Sequence, residues 1–287
     1  MRVTILGIGL LGRAVAERLH DSGHAVTVYN RTASKTDPLR AHGITVAATA
    51  AEAVASTDCT LLYLTDAAAI HAVLFPPAAP VDLRSRTIIQ MGTISPDESR
   101  AFQRSVSAGG GDYFEAPVLG SLAEAKAGTL IIMGGGTADQ LRRWEPVFSS
   151  LTPAPFLIGP IGQAAALKLA LNHLIAAELS AFALSLGLIQ RAGISVDQFM
   201  TILKSSALFA PAFEKKLPRL LARQYDKPNF PTSHLLKDVN LFADDARHHG
   251  LNIAGLTGVR ALLEHAIQTG QRDADYSALF ESINPRD

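Results

Sequence analysis

Two hydrophobic periodicities alternate at the start of the chain. Residues 2–6 (RVTIL) and 25–29 (AVTVY) are short β-branched runs; between them Val15, Ala16 and Leu19 recur at helical spacing until Gly23 supplies the stop. This order predicts a β-α-β unit. Further strands are expected at 44–47, 60–64, 87–91, 112–116 and 130–133, separated by helical or turn-rich stretches. Two helix starts are written in side-chain chemistry. Asp66 stands ahead of AAAIHAVLF, and Ser95-Pro96-Asp97-Glu98 has the spacing of a capping box with proline at the first helical position.

From about residue 161 the strand-like runs stop, and helical segments punctuated by Gly and Pro continue to the C-terminus. Residues 163–190 read as one helix of roughly 40 Å at 1.5 Å per residue. It is apolar nearly all round, so it is expected to be buried against other helices, those of a second subunit included. The predicted fold class is α/β. A doubly wound, Rossmann-type sheet is expected over 1–161 and an all-helical substrate and oligomerisation domain over 162–287, with the long helix between them.

The first strand runs straight into Gly7-Ile8-Gly9-Leu10-Leu11-Gly12. A GxGxxG string alone is weak, since glycines gather in many turns. Its place between a strand and a helix, however, is where backbone N–H groups and a helix N-terminus meet a pyrophosphate. Gly7 is expected to make the tight turn, Gly9 to admit phosphates close to the backbone, and Gly12 to let helix and strand pack. A plain strand-to-helix turn is the alternative. After the second strand comes Asn30-Arg31-Thr32, then Ser34 and Lys35, where an NAD enzyme usually carries a carboxylate for the ribose hydroxyl. Guanidinium, hydroxyl and ammonium donors suit a 2′-phosphate, and Arg31 can also stack on adenine, so NADP(H) is the expected cofactor. A solvated basic turn is the plainer reading. Leu64 and Thr65, where the 60–64 strand ends, join the expected cofactor-binding set.

Composition narrows the function classes. The 287 residues are 48% hydrophobic and 18% charged, with 26 basic against 26 acidic side chains, so there is no overall positive field for nucleic acid or an anionic membrane. Neither is an expected partner. The single cysteine, Cys59, excludes an intramolecular disulfide and a cysteine-built zinc site; with no signal-like start, a cytoplasmic location is expected. The longest apolar stretch, Ala164 to Ile189, is interrupted by Lys168, Asn172, His173 and Glu178, which favours a buried helix over a membrane span. The nine histidines lack metal-site spacing, and His173 is expected to pack; no metal is expected. Neither a GxSxG elbow nor a Walker lysine is present.

Hydride transfer to a carbonyl needs a proton donor beside the developing alkoxide. Lys168 is the candidate, because glycines introduce its helix and it sits among alanines and leucines, surroundings expected to lower a lysine pKa. Asn172 is four residues on and shares its face, whereas Ile175, Ala176 and Leu179 continue that face as apolar positions. A lysine snorkelling at a domain boundary is the alternative.

Four motifs then stand in order: GIGLLG at 7–12, EAPVLGS at 115–121, GPIGQAAALKLALN at 159–172 and LLKDVNL at 235–241. Together they resemble the β-hydroxyacid dehydrogenase family, whose members include 3-hydroxyisobutyrate dehydrogenases and glyoxylate/succinic semialdehyde reductases, over nearly the whole chain. Asn30-Arg31-Thr32, Gly92-Thr93-Ile94-Ser95-Pro96 and Asn229-Phe230-Pro231 look most like the NADPH-using glyoxylate/succinic semialdehyde reductase branch. The resemblance implies that Lys168 is the general acid and that Asn172 orients the substrate. It also implies that Thr93 lies near nicotinamide and substrate, that Lys237 contacts the cofactor, and that Phe230 and Asp238 order the pocket. Each has a plain counterpart: a strand end for Thr93, a solvated pair for Lys237 and Asp238, core for Phe230.

One position departs from the family. Its substrate loop normally carries serine where this chain has Leu119, which removes a charge-assisted hydrogen bond of about 1.5–3 kcal/mol. Backbone N–H groups of Leu119, Gly120 and Ser121, with the Ser121 hydroxyl, are the remaining expected substrate donors. The expected activity is NADPH-dependent reduction of a small carboxylate-bearing aldehyde, succinic semialdehyde or glyoxylate, by a homodimer or homotetramer. The alternatives are a 3-hydroxyisobutyrate-type dehydrogenase, an imine reductase and a non-catalytic NADP(H)-binding sensor.

Overall fold

The computed structural model describes residues 1–78 and 80–286. Nine strands among them join one sheet: β1 (Arg2–Leu6), β2 (Ala25–Tyr29), β3 (Thr45–Val46), β4 (Cys59–Leu62), β5 (Thr87–Gln90), β6 (Asp112–Glu115), β7 (Val118–Leu119), β8 (Ile131–Gly135) and β9 (Phe156–Gly159). The first six run parallel in the order β3-β2-β1-β4-β5-β6, that of a doubly wound dinucleotide-binding sheet. Beyond them β8 is antiparallel to both β6 and β7, and β9 runs parallel to β8. All seven sequence-predicted strands form, although the third shrinks to two residues and the fourth runs from Cys59 to Leu62. The unpredicted β7 and β9 are short, and Pro153, Pro155 and Pro160 flank β9, so neither carries a readable alternation.

Seven helices belong with the sheet: α1 (Leu10–Asp21), α2 (Asp37–Ala41), α3 (Ala50–Ala55), α4 (Ala67–Leu74), α5 (Pro96–Ala108), α6 (Leu122–Ala127) and α7 (Ala138–Phe148). Successive strand residues face opposite ways, so β1 feeds two cores. Val3 and Ile5 join Val15, Leu19, Phe114, Trp144 and Phe148, whereas Leu6 joins Leu62, Ile70, Ile88, Phe102 and Val106. The expected starts of α4 and α5 are present: Asp66 accepts the Ala69 N–H at 2.8 Å, and Ser95 and Glu98 exchange both bonds of a capping box.

The chain then becomes helical: α8 (Gln163–Arg191), α9 (Val196–Lys204), α10 (Pro211–Ala222), α11 (Thr232–His248), α12 (Ala254–Gln268) and α13 (Leu279–Ile283). Two compact units result, Met1–Lys168 and Leu169–Asp287, so the first turns of α8 belong with the sheet. In the second unit Ala176, Leu179, Phe182 and Leu186 of α8 pack with Phe213, Leu235, Val239, Leu263 and Phe280. The Phe182 and Phe213 rings stack with centroids 4.6 Å apart.

Candidate active site

In the first unit the strand order reverses at β1, which lies between β2 and β4, and ligands of such sheets sit beyond the carboxyl ends of the strands at that point. The glycine motif occupies this place. Gly7 has φ +100°, and a Cβ on it would run into the Tyr63 carbonyl; a Cβ on Gly12 would run into the Gly7 carbonyl. Both close approaches therefore require glycine. Gly9 differs, since a Cβ there would meet nothing within 4 Å. It precedes α1, which has no side-chain cap and no acidic residue in its first turn. Backbone amides beside open space with no competing acceptor suit a pyrophosphate.

Asn30 holds the neighbouring loop in place. Its Oδ1 accepts the Ile8 N–H at 2.9 Å and its Nδ2 donates to the Thr32 carbonyl at 2.9 Å, clipping the glycine turn to the end of β2. Beside it lies a cavity of about 240 Å³, lined among others by Asn30, Arg31, Thr36, Arg40, Ala47 and Ala48. Thr32 and Lys35 are exposed nearby but outside its lining. Arg40 is a cation that the sequence reading missed, because it sits on α2, beyond the turn where an adenosine-binding residue is sought. Leu64 touches the Gly7 position, and its carbonyl would stand 2.8 Å from a Cβ on Gly92. The structure thus brings the glycine turn, Leu64 and the Gly92-Thr93 segment together; Thr93 is half-buried and Thr65 exposed.

The substrate loop leaves β6 at Glu115. Leu119 is half-buried in β7 opposite Ile131, and Gly120 turns the chain with φ +128°. The expectation for Ser121 changes: its N–H and its hydroxyl both donate to Glu124 Oε2, at 2.8 and 2.7 Å, so these donors are spent on the start of α6. Glu115 itself was not singled out in the sequence, and it proves to be 1% exposed and bonded to the start of α8.

Along α8, Lys168 is half-buried and Asn172 stands one turn further on, 1% exposed. Within the second unit, Asn172 Nδ2 donates to Asp238 Oδ2 at 2.7 Å. Lys237 Nζ lies 2.6 Å from Asp238 Oδ1 as an ion pair without hydrogen-bond geometry. The Asn172 carbonyl oxygen, Oδ1, is buried with no partner. His173 stacks on Phe242 at 4.5 Å, the packing role expected of it, and burial lowers its pKa. Phe230 is half-buried against the helical core, edge-on to Tyr276 at 5.8 Å. Among the described residues no group of three His, Cys, Asp or Glu side chains could hold a metal ion.

Comparison with known proteins gives the arrangement a family. Residues 2–159 match the family described as the NAD binding domain of 6-phosphogluconate dehydrogenase, and residues 162–283 match the NAD-binding domain of NADP-dependent 3-hydroxyisobutyrate dehydrogenase. Glyoxylate/succinic semialdehyde reductase 1 of Arabidopsis thaliana is 30% identical over 99% of this chain and 98% of its own. The chain belongs to the β-hydroxyacid dehydrogenase family. This dehydrogenase is therefore a nicotinamide-dependent oxidoreductase acting on CH–OH groups. Its fold matches the crystal structure of 3-hydroxyisobutyrate dehydrogenase from Salmonella typhimurium with a TM-score of 0.88 at 22% identity, covering 98% of this chain and 99% of that one. A reductive aminase from Aspergillus terreus, in complex with NADPH and ethyl levulinate, is 26% identical with a TM-score of 0.67, covering 98% of each chain. The open space before Gly9, the uncapped start of α1 and the cavity beside Arg31 fit a dinucleotide.

Proposed function

We propose that the protein is an NADPH-dependent reductase of a small carboxylate-bearing aldehyde, of the succinic semialdehyde or glyoxylate kind, with Lys168 as general acid. The observation that carries this reading is Asn172. Its amide is anchored to Asp238 and its buried Oδ1 lacks a donor, one helical turn from a lysine. An unpaired buried acceptor costs about 1–3 kcal/mol, and a ligand hydroxyl would satisfy it. The bound nicotinamide supplies the hydride. Lys168 gives its ammonium proton to the carbonyl oxygen as charge develops there, and Asn172 holds that oxygen once it has become a hydroxyl. Arg31 and Arg40, which both line the cavity, support the choice of NADPH, since two guanidinium groups suit a 2′-phosphate. Exposed Leu174, Leu184 and Leu188 of α8 support the further reading that the enzyme works as a homodimer or homotetramer.

The test is a panel of aldehydes, ketoacids and hydroxyacids followed by cofactor absorbance. Lys168→Ala is expected to lower kcat about 10²–10⁴-fold while cofactor binding persists. Arg31→Ala is expected to shift the NADPH/NADH preference toward NADH. A wild type that binds NADPH tightly yet turns over none of the panel is a sensor, and an unaltered preference removes Arg31 from the cofactor reading. Imines belong on the panel as the second reading, because Leu119 gives the loop an apolar side chain and the reductive aminase is a relative in fold.

A further inference from the structure

We propose that Glu115 is a positioning residue for the reaction, a buried carboxylate that holds the first turn of α8, and with it Lys168, against the end of β6. The inference rests on the reading of Lys168 as proton donor.

Glu115 closes β6 and is 1% exposed. Its Oε1 accepts the N–H groups of Gly162 at 2.8 Å, Ala164 at 2.9 Å and Ala165 at 3.4 Å; its Oε2 accepts the Ser99 hydroxyl. Five other helices of this chain are capped by the residue just before them, Thr49 for α3, Asp66 for α4, Ser95 for α5, Thr137 for α7 and Ser195 for α9. The start of α8 is served instead by a side chain 47 residues earlier, on another element. A buried carboxylate is an expensive cap unless it is fully hydrogen-bonded, and here four donors converge on it. The surroundings are shaped to admit it. Gly135 stands opposite Glu115 in the β6–β8 pair, and a Cβ there would run into the carboxylate.

Three segments that carry site residues therefore meet on one side chain. Ser99 lies on α5, behind Thr93; Glu115 opens the loop to Leu119, Gly120 and Ser121; Ala164 lies one turn before Lys168. A helix is stiff over one turn, so the pose of the 162–165 amides sets that of Lys168 along the axis. A displacement near 1 Å at a reacting group costs about 10²-fold in rate.

Four measurements on the full-length protein test this. Glu115→Ala should lower kcat about 10²-fold while the cofactor KM stays within about twofold. Hydrogen exchange at the 162–165 amides should become at least about tenfold faster, the local opening that lost anchoring allows. Glu115→Gln should restore both, because its amide oxygen can accept the same N–H groups while its NH₂ donates to Ser99 Oγ, which lies 3.0 Å from the Tyr113 hydroxyl. Gly135→Ala keeps the carboxylate but displaces it, so it should shift kcat and exchange in the same direction as Glu115→Ala; it carries the test where that variant does not fold. Faster exchange with unchanged kcat overturns the proposal, and so does a Glu115→Gln enzyme as slow as Glu115→Ala, which would make Glu115 a charge or proton carrier. Failure of the Lys168 reading shows separately, as a Lys168→Ala enzyme of full activity whose 162–165 amides remain protected.

Discussion

Two glycines of one motif do different work. Gly12 is tight against the Gly7 carbonyl, whereas Gly9 faces open space. Gly12→Ala is accordingly expected to destabilise the fold by about 1–3 kcal/mol through overpacking. Gly9→Ala should leave the melting temperature nearly unchanged but weaken binding of the nicotinamide cofactor about tenfold, a loss near 1.4 kcal/mol; differential scanning fluorimetry with and without cofactor reads both. Glu115 adds a pH effect. Burial raises its pKa, and the Ser99 hydroxyl and the Gly162, Ala164 and Ala165 amides only partly pull it back. Between the ordinary carboxylate range and the raised value, the folded chain therefore binds more protons than the unfolded chain. Stability contributed at this position falls as pH rises from the ordinary carboxylate range through the raised value. Glu115→Gln should remove that slope in urea titrations taken across the window. Burial pushes the Cys59 thiol up to about 12, so a thiol reagent at pH 8 should label it only after unfolding.

At the scale of elements, a buried ion pair ties α10 to the chain before α13. Lys216 Nζ lies 2.7 Å from Asp275 Oδ1, at 9% and 0% side-chain exposure, and 4.1 Å above the Tyr276 ring. The Asn229 N–H and the Ser277 N–H and hydroxyl also donate to Asp275, tying down the segment that carries Phe230. Burial works to raise the Asp275 pKa, but Lys216 and these donors hold it below the ordinary 3.8. The sign follows from linkage: the contribution is complete above 3.8 and is lost as pH falls toward the depressed value. Asp275→Asn strands a buried ammonium and should cost about 3–5 kcal/mol at neutral pH, with a smaller difference from wild type in acid. Urea midpoints at several pH values measure it. Most elements were legible: seven strands, the caps at Asp66 and Ser95 and the length of α8 follow from period and local side-chain chemistry. β7 is too short to show a period, β9 is hemmed in by Pro153, Pro155 and Pro160, and the third predicted strand keeps only the two residues that pair with β2.

At the scale of the whole molecule, the two units have separate cores, and α8 runs through both. Its Leu174, Leu184 and Leu188 are 51%, 63% and 69% exposed in the single chain, which places the all-round apolarity seen in the sequence partly outside the fold. If these leucines meet another copy, the double change Leu184→Glu and Leu188→Glu should lower the mass found by light scattering without lowering helix content. A wild type that is monomeric at micromolar concentration overturns the expectation.

Whatever depends on a few neighbouring residues was settled by the sequence itself. Strand and helix periods, the left-handed glycine turn after β1, the basic turn after β2 and the Lys168–Asn172 spacing are short-range properties, fixed by backbone geometry and side-chain chemistry within a turn or two. The tertiary structure decided which polar groups find partners. Asn30 spends its amide on the glycine turn, Ser121 spends both its donors on Glu124, Asn172 keeps an acceptor open beside Asp238, and Glu115 caps a helix 47 residues away. A hydrogen bond has a reach of about 3 Å, so its partner is known only once folding has brought distant stretches of chain together.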